Sequence, residues 1–235
     1  MSRSVPYSAI AAAPAVRRFH HFILFTSLLV LACVSRAAMA ADADAHDNVR
    51  LNWGLSSDTD LTTAVWGDFE QSFEHTYMLG GSWGHTLRER WFGWPIELTG
   101  NLGVQWFDER GLQSDGYGLN AYIKAHYRWR LPGTRKHVRF GLGEGLSYVS
   151  RVPLSEERDF QKKGADIHSE KLMNYVEWSI DMPLRDFSTL DRLIPKKIDE
   201  VYVGFFIFHR SSVFGVFAET KGGVNYMGLG IEGRY

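Results

Sequence analysis

Apolar and polar residues alternate along most of the chain beyond residue 48, and a period of two is typical of β-strands with one face in an apolar environment. The clearest run covers residues 117–131, where Tyr, Leu, Ala, Ile and Trp occupy the odd positions and mostly Gly, Asn, Lys, His and Arg the even ones. This run is longer than an ordinary sandwich strand and has the length of a tilted membrane strand with extensions. The aromatic residues at its ends are typical of the girdle of a membrane protein.

The same alternation predicts eight strands in total. They cover residues 49–55, 76–86, 96–106, 117–131, 138–149 and 172–182, followed by the two strands of a hairpin within 201–235. A loop with the turn signal Lys221-Gly222-Gly223 joins the last two strands. Residues 64–67 are a candidate for an additional short strand, 151–168 for a charged loop, and 183–200 for a long connection with a short helix.

This pattern predicts an all-β fold, an antiparallel transmembrane β-barrel of about eight strands over residues 41–235. An even strand number is the rule for bacterial barrels of this kind, and eight strands leave an interior that side chains fill. We therefore expect the inward charged residues to form a buried network rather than line a channel; they include Glu97, Lys124, Arg128 and Glu177. If both chain ends face the periplasm, the connections that face outside are 56–75, 108–116, 150–169 and 210–223.

Glu144 interrupts the apolar parity of the fifth predicted strand. One interpretation is a local β-bulge that turns its side chain inward. The other is an outward carboxylate with a function. Of the two, we favour the bulge.

The first 40 residues have the plan of a cleaved export signal. Arg17 and Arg18 precede an apolar run from Phe22 to Val34, and Ala38-Met39-Ala40 forms an A-x-A cleavage pattern. The run is too short to span a bilayer as a helix. The only cysteine, Cys33, is interpreted as a small residue of the signal core, and a lipoprotein processing site is the alternative.

Composition and charge narrow the location and the partners. The chain has 235 residues, 14% of them aromatic, and a formal net charge of −1 without a basic block, so a nucleic-acid partner is not expected. The expected location is the outer membrane of a Gram-negative bacterium. The amphipathic last strand, which ends on Tyr235, resembles the C-terminal signal recognised by the outer-membrane assembly machinery. A soluble periplasmic barrel of lipocalin type is the alternative, and it would need an apolar interior.

A histidine and a serine lie at the end of the apolar stripe of the seventh strand. His209 and Ser211 are two residues apart, so they point to one face, and Asn225 holds the matching place on the apolar parity of the last strand. A serine becomes nucleophilic when a histidine takes its proton, and a third group orients the imidazole. These residues are the candidate site. No cofactor or metal is expected, since the remaining histidines, among them His75, His85 and His126, lack metal-ligand spacing.

The candidate site and the run from Phe140 to Tyr148 resemble the lipid A 3-O-deacylase family, which includes proteins called acyloxyacyl hydrolases. Members of that family are small outer-membrane barrels that hydrolyse an ester-linked acyl chain of lipid A. They carry a His-x-Ser pair on the penultimate strand and an acid on the last, both facing the membrane. The resemblance implies Ser211 as nucleophile, His209 as base, and lipopolysaccharide as the membrane-lipid partner.

Two positions depart from the pattern of that family. Asn225 stands where the family has its acid, and an amide can orient a histidine but carries no charge. Ser212 follows the serine, where the family often has an asparagine that donates to the oxyanion, and Ser212 is the oxyanion candidate here. Glu219 in the loop is a candidate substitute acid. These departures leave open a second hypothesis, a non-catalytic barrel with a structural or adhesive role.

Overall fold

The structure is a computed structural model that describes residues 46–162, 164, 166–192, 194–195, 198–212 and 222–235. The predicted export signal at 1–40, with Cys33, and the candidate acid Glu219 lie outside the described residues.

The described strands form one antiparallel sheet that closes on itself. Each strand pairs with the next along the chain, and the first pairs with the last. The strands are β1 (Asp47–Ser57), β2 (Tyr77–Arg88), β3 (Ile96–Asp108), β4 (Gly116–Arg130), β5 (His137–Val149), β6 (Leu172–Pro183), β7 (Glu200–Ser211) and β8 (Gly223–Arg234). The predicted eight-stranded antiparallel barrel is confirmed. The prediction was possible because the period of two continues along each strand and so locates the strand in the sequence.

The outside of the barrel is apolar, and the inside combines buried charged side chains with an apolar and aromatic cluster that includes Phe107, Phe206 and Phe208. More than half of the surface of several outward leucines is exposed, namely Leu51, Leu102, Leu119, Leu142 and Leu229. Large charged side chains are instead fully buried inside, among them Arg50, Lys124, Arg139 and Arg210. Apolar side chains outside and charged ones inside suit a barrel surrounded by lipid. A soluble barrel of lipocalin type does not fit, because the outward leucines would then be exposed to water.

Ion pairs link the charged side chains of the interior. Arg50 Nη1 lies 3.0 Å from Asp181 Oδ1, and Arg139 Nη1 lies 2.6 Å from Glu232 Oε1. Three of the four residues predicted to take part are paired inside, in Lys124–Glu177 and Glu97–Arg234. The prediction is wrong for Arg128, which pairs with Glu200 but is 46% exposed because it lies near the end of β4. Buried charges need such partners, because an unpaired ion in a low dielectric is strongly destabilising. These pairs occupy the lumen between the strands.

A short helix, α1 (Leu61–Ala64), replaces the additional strand predicted at 64–67. That prediction was wrong, because a short apolar run has no period that separates a strand from a helix. Ala64 is buried against Ile207 and Met227, which point outward from β7 and β8. The connection between β1 and β2 therefore folds over the outer surface of the barrel instead of extending the sheet.

A second helix, α2 (Leu154–Gln161), lies in the segment predicted to be a charged loop, and this prediction was also wrong. Arg158 on α2 hydrogen-bonds to the side chains of Glu74 and Asp58 in the β1–β2 connection, at 2.9 and 2.5 Å. The two helix-bearing connections are thus joined at one end of the barrel, which we call the capped end. None of the helices in the described residues is long and apolar enough to cross a bilayer.

The connection between β6 and β7 contains the short helix that was predicted within 183–200. It holds a 3₁₀ turn, Leu184–Asp186, followed by α3 (Ser188–Asp191). This connection lies at the end of the barrel opposite the capped end, where β1 begins and β8 finishes.

Candidate functional site

His209 and Ser211 lie on the outward face of β7, near the capped end. The alternate residues Phe206, Phe208 and Arg210 are buried in the interior, so the two candidates point the other way. His209 pairs with Asn225 across the β7–β8 ladder. The structure therefore brings the histidine and the asparagine together on the outer surface, with the serine one outward position further along.

Hydrogen bonds set the orientation of the histidine ring. The ring Nδ1 lies 2.7 Å from Asn225 Oδ1, and Asn225 Nδ2 donates to the backbone carbonyl of Thr59 at 2.5 Å. Because a carbonyl can only accept, the amide nitrogen must face Thr59 and the amide oxygen must face the ring. Nδ1 then carries the proton, which leaves Nε2 as an acceptor. In this tautomer the basic nitrogen is Nε2, which could take a proton from a hydroxyl on that side of the ring.

The β1–β2 connection covers the Asn225 side of this pair and leaves the histidine partly exposed. Thr59 bonds to Asn225, and the next turns of the chain place Ala64 on Ile207 and Met227. Partly buried apolar residues surround this contact, namely Leu61, Val65, Trp178 and Phe205. Asn225 is only 5% exposed as a result. The hydrogen bond between Asn225 and His209 thus lies next to the apolar contact of Ala64 with Ile207 and Met227, on the side towards the capped end.

The two serines differ in their surroundings. Ser211 is half-buried and pairs with Gly223 across the ladder. Ser212 is buried where the hairpin leaves the sheet; its N–H donates to the Gly222 carbonyl at 3.1 Å, and its Oγ accepts from the Gly222 N–H at 3.2 Å. In this arrangement only the hydroxyl hydrogen of Ser212 remains for an oxyanion, and that role stays a prediction.

A carboxylate that the sequence reasoning missed lies beside the candidate site. Asp159 on α2 accepts a hydrogen bond from the Gly223 N–H at 3.3 Å through Oδ2. Its charge acts electrostatically on the His209 ring. The many charges of the segment 151–168 predict a loop, and nothing in that sequence distinguishes Asp159 from its charged neighbours.

Glu144 is exposed on the outward face of β5, and the bulge we favoured is wrong. The register of β5 continues without a shift on both sides of this residue. Glu144 pairs with Val176, which in turn pairs with His209. The carboxylate is therefore in the same transverse row as the candidate histidine, two strands away. Its outward direction agrees with the second interpretation, although a function for it stays a hypothesis.

Buried acids concentrate under the cap. Glu109, just after β3, accepts a hydrogen bond from the Leu154 N–H at 3.3 Å at the start of α2. Burial raises the pKa of this carboxyl to about 7, and the nearby carboxylates of Asp115 and Glu74 act in the same direction. Loss of hydration disfavours the ionised form, which explains the direction of the shift. This acid therefore titrates near neutrality.

A metal centre has no support among the described residues. No group of three or more His, Cys, Asp or Glu side chains in that part of the chain is arranged to hold an ion.

Fold and surface together define the class: this is a small, closed, eight-stranded barrel with an apolar exterior and a charged, filled interior, the plan of an outer-membrane β-barrel. No protein-family model matches the chain, and no curated protein matches its sequence. Among solved structures, the chain is similar to the N-terminal β-barrel domain of OprF from Pseudomonas aeruginosa, with 10% identity and a TM-score of 0.39. The match covers 82% of this chain and 98% of that domain. It is a remote likeness of fold and carries no argument about activity.

Proposed function

We propose that this protein resides in the outer membrane of a Gram-negative bacterium and hydrolyses an ester-linked acyl chain of lipid A. The observation that carries the proposal is the hydrogen bond from His209 to Asn225 on the outward face, with Ser211 on the same face of the same strand. Together with the resemblance of these residues to the lipid A 3-O-deacylase pattern, it favours a Ser-His hydrolase over other activities of small barrels.

In the proposed reaction the Ser211 hydroxyl oxygen attacks the ester carbonyl carbon, and His209 Nε2 takes the hydroxyl proton. The imidazolium then gives that proton to the departing sugar oxygen, which leaves an acyl-enzyme ester. A water molecule, deprotonated by the same nitrogen, releases the fatty acid and restores the serine. Asn225 keeps Nδ1 protonated throughout, so that Nε2 stays the basic atom.

Position on the outer wall suits a lipid substrate. An acyl chain reaches a residue on this face by lateral diffusion in the membrane, without entering the filled lumen. Trp178 and Phe205 are partly buried outward residues beside the α1 contact, with their rings 6.5 Å apart edge to face. We assign to these rings the contact with the acyl chain next to the scissile ester, because aromatic side chains bury large apolar area.

Mass spectrometry of lipid A, incubated with and without the purified protein, tests the proposal. The expected product has lost one ester-linked acyl chain, and Ser211→Ala should abolish that loss because it removes the nucleophile. Ser114→Ala, at an exposed serine of the β3–β4 connection, is the matched control and should retain full activity. An unchanged acyl pattern across several lipopolysaccharides would reject the hydrolase.

The second candidate is a structural or adhesive barrel without activity. The observation in its favour is the absence of a carboxylate at Asn225, combined with the engagement of Ser212 by Gly222. Rejection of the hydrolase in the lipid A experiment would leave this reading. In either case we propose that the outer-membrane assembly machinery inserts the barrel and recognises the amphipathic strand β8.

A further inference from the structure

The proposed hydrolase needs a negative charge near His209, and position 225 is unsuited to supply it. During the reaction the ring becomes a cation, which a carboxylate stabilises and an amide does not. Asn225 must accept from the ring and also donate to the Thr59 carbonyl. A carboxylate has no hydrogen to donate, so it would face the carbonyl oxygen across a short contact. The cover of the site by the β1–β2 connection therefore dictates an amide at this place.

A carboxylate reaches the same place from α2. Asp159 Oδ2 lies 3.3 Å from the amide nitrogen of Gly223. The ring of His209 also packs against Gly223: a side-chain Cβ at this glycine would lie 3.0 Å from His209 Cε1. The carboxylate and the ring therefore both lie beside Gly223, and the ring atom nearest to this glycine's side-chain direction is Cε1.

Among the described residues, the charged sequence neighbours of His209 and Asp159 have partners of their own. Arg210, next to His209 in sequence, points into the interior, where its Nε lies 3.5 Å from Glu156. Arg158, next to Asp159, bonds to Glu74 in the β1–β2 connection.

Groups facing the ring from the neighbouring strands are neutral. Val176 faces it from β6 and Asn225 from β8. Glu144, exposed beyond Val176 on β5, is the further carboxylate of the same row.

On this geometry we infer that Asp159 is the positioning residue that supplies the negative charge for His209, in place of an acid on the last strand. The role that we assign to Asp159 rests on the proposed hydrolase, but the pairing of Asp159 with His209 can be tested without any hydrolysis. Asp159 acts through the ring and does not touch the substrate. It stabilises the imidazolium that forms when Ser211 gives up its proton, while Asn225 fixes the tautomer. The orienting function and the charge function of the usual third residue are thus divided between two elements.

Titration of the His209 ring, followed by NMR of the full barrel in detergent micelles, tests the inference without any substrate. Asp159→Asn keeps an oxygen for the Gly223 N–H and removes the charge, so the midpoint of the ring titration should move to lower pH by about 0.5–1 unit. Asp159→Glu retains the charge and should restore most of the shift. Asp199→Asn, at the opposite end of the barrel, is the matched control and should leave the midpoint in place. The His209→Gln variant assigns the signal.

Turnover of lipid A supplies the second measurement. If Asp159 has the assigned role, Asp159→Asn lowers kcat roughly tenfold and leaves KM unchanged, because the charge matters only once the imidazolium forms. Midpoints that coincide in the native protein and Asp159→Asn would overturn the inference, even if the native protein deacylates lipid A. A shifted midpoint without any deacylation would instead support the pairing of Asp159 with His209 and overturn the hydrolase.

Discussion

Asn225 has two hydrogen-bonding partners of opposite kind, the ring of His209 and the carbonyl of Thr59. Among side chains of this size, only an amide offers an acceptor and a donor on one planar group. The departure from an acid at this position is therefore a consequence of local structure. It follows from the β1–β2 connection, which brings a backbone carbonyl against the last strand.

Asn225→Asp is expected to weaken the site rather than improve it. The carboxylate would place an oxygen near the Thr59 carbonyl and leave that carbonyl without its donor, at a cost of about 1–3 kcal/mol. Urea unfolding in detergent micelles should show this loss of stability, and deacylation of lipid A should fall with it. A more active Asn225→Asp variant of unchanged stability would contradict this account of the amide.

At the scale of single residues, sequence alternation was sufficient to find the part of the site that lies on strands. His209, Ser211 and Asn225 could be placed on one face because the period of two fixes direction. Thr59 and Asp159 could not be found, since both belong to connections whose sequences show no apolar period from which the direction of a side chain could be predicted. Glu144 shows the opposite error: we replaced a correct reading of the period with a bulge that the strand does not contain.

At the scale of the elements, the two helices of the capped end determine which groups surround the candidate site on the barrel wall. α1 packs an apolar face on β7 and β8, and α2 brings Asp159 to Gly223. Neither helix has a strong local signal, because α1 has four residues and half of the eight residues of α2 are charged. Their stability comes from tertiary contacts, as is general for short helices. For this reason the barrel could be predicted from the sequence, and the helices α1 and α2 that cover its capped end could not.

The free energy of unfolding is expected to fall as the pH rises towards neutrality, because of an acid at the capped end. Glu109, under α2, has a pKa raised from 4.5 to about 7, so the folded state holds its proton more tightly than the unfolded state does. That preference stabilises the fold below about pH 4.5 and is lost between there and pH 7. Urea midpoints at pH 5 and pH 8 should therefore differ for the native protein, with the lower midpoint at pH 8.

Glu109→Gln separates this effect from other acids, because glutamine is neutral at every pH and has nearly the same shape. The difference between the free energies of unfolding at pH 5 and at pH 8 should shrink by roughly 1–3 kcal/mol in this variant. Glu70→Gln, at an exposed acid of the β1–β2 connection, is the control and should behave as the native protein does. An equal pH dependence in Glu109→Gln and the native protein would show that another group is responsible.

At the scale of the whole molecule, the charged groups that stabilise the barrel lie inside it, and the candidate site lies on its outer surface. The interior is closed by ion pairs between distant strands, such as Arg50 on β1 with Asp181 on β6 and Arg139 on β5 with Glu232 on β8. These pairs join opposite walls, so they hold the barrel shut while leaving the outer surface to lipid. The candidate site then sits on a rigid wall, which favours a fixed distance between strand-borne groups.

Removal of one member of the interior network should destabilise the entire barrel. Arg139 bonds to Glu232 and Asp181 and lies 3.5 Å over the ring of Tyr202. Arg139→Ala leaves two buried carboxylates without this partner, so a loss of roughly 3–5 kcal/mol is expected in urea unfolding. Arg135→Ala, at an exposed arginine of the β4–β5 turn, should change stability by no more than about 0.5 kcal/mol. If the two variants unfold alike, the lumen is hydrated enough to screen its charges, and the walls are held together by the backbone ladder alone.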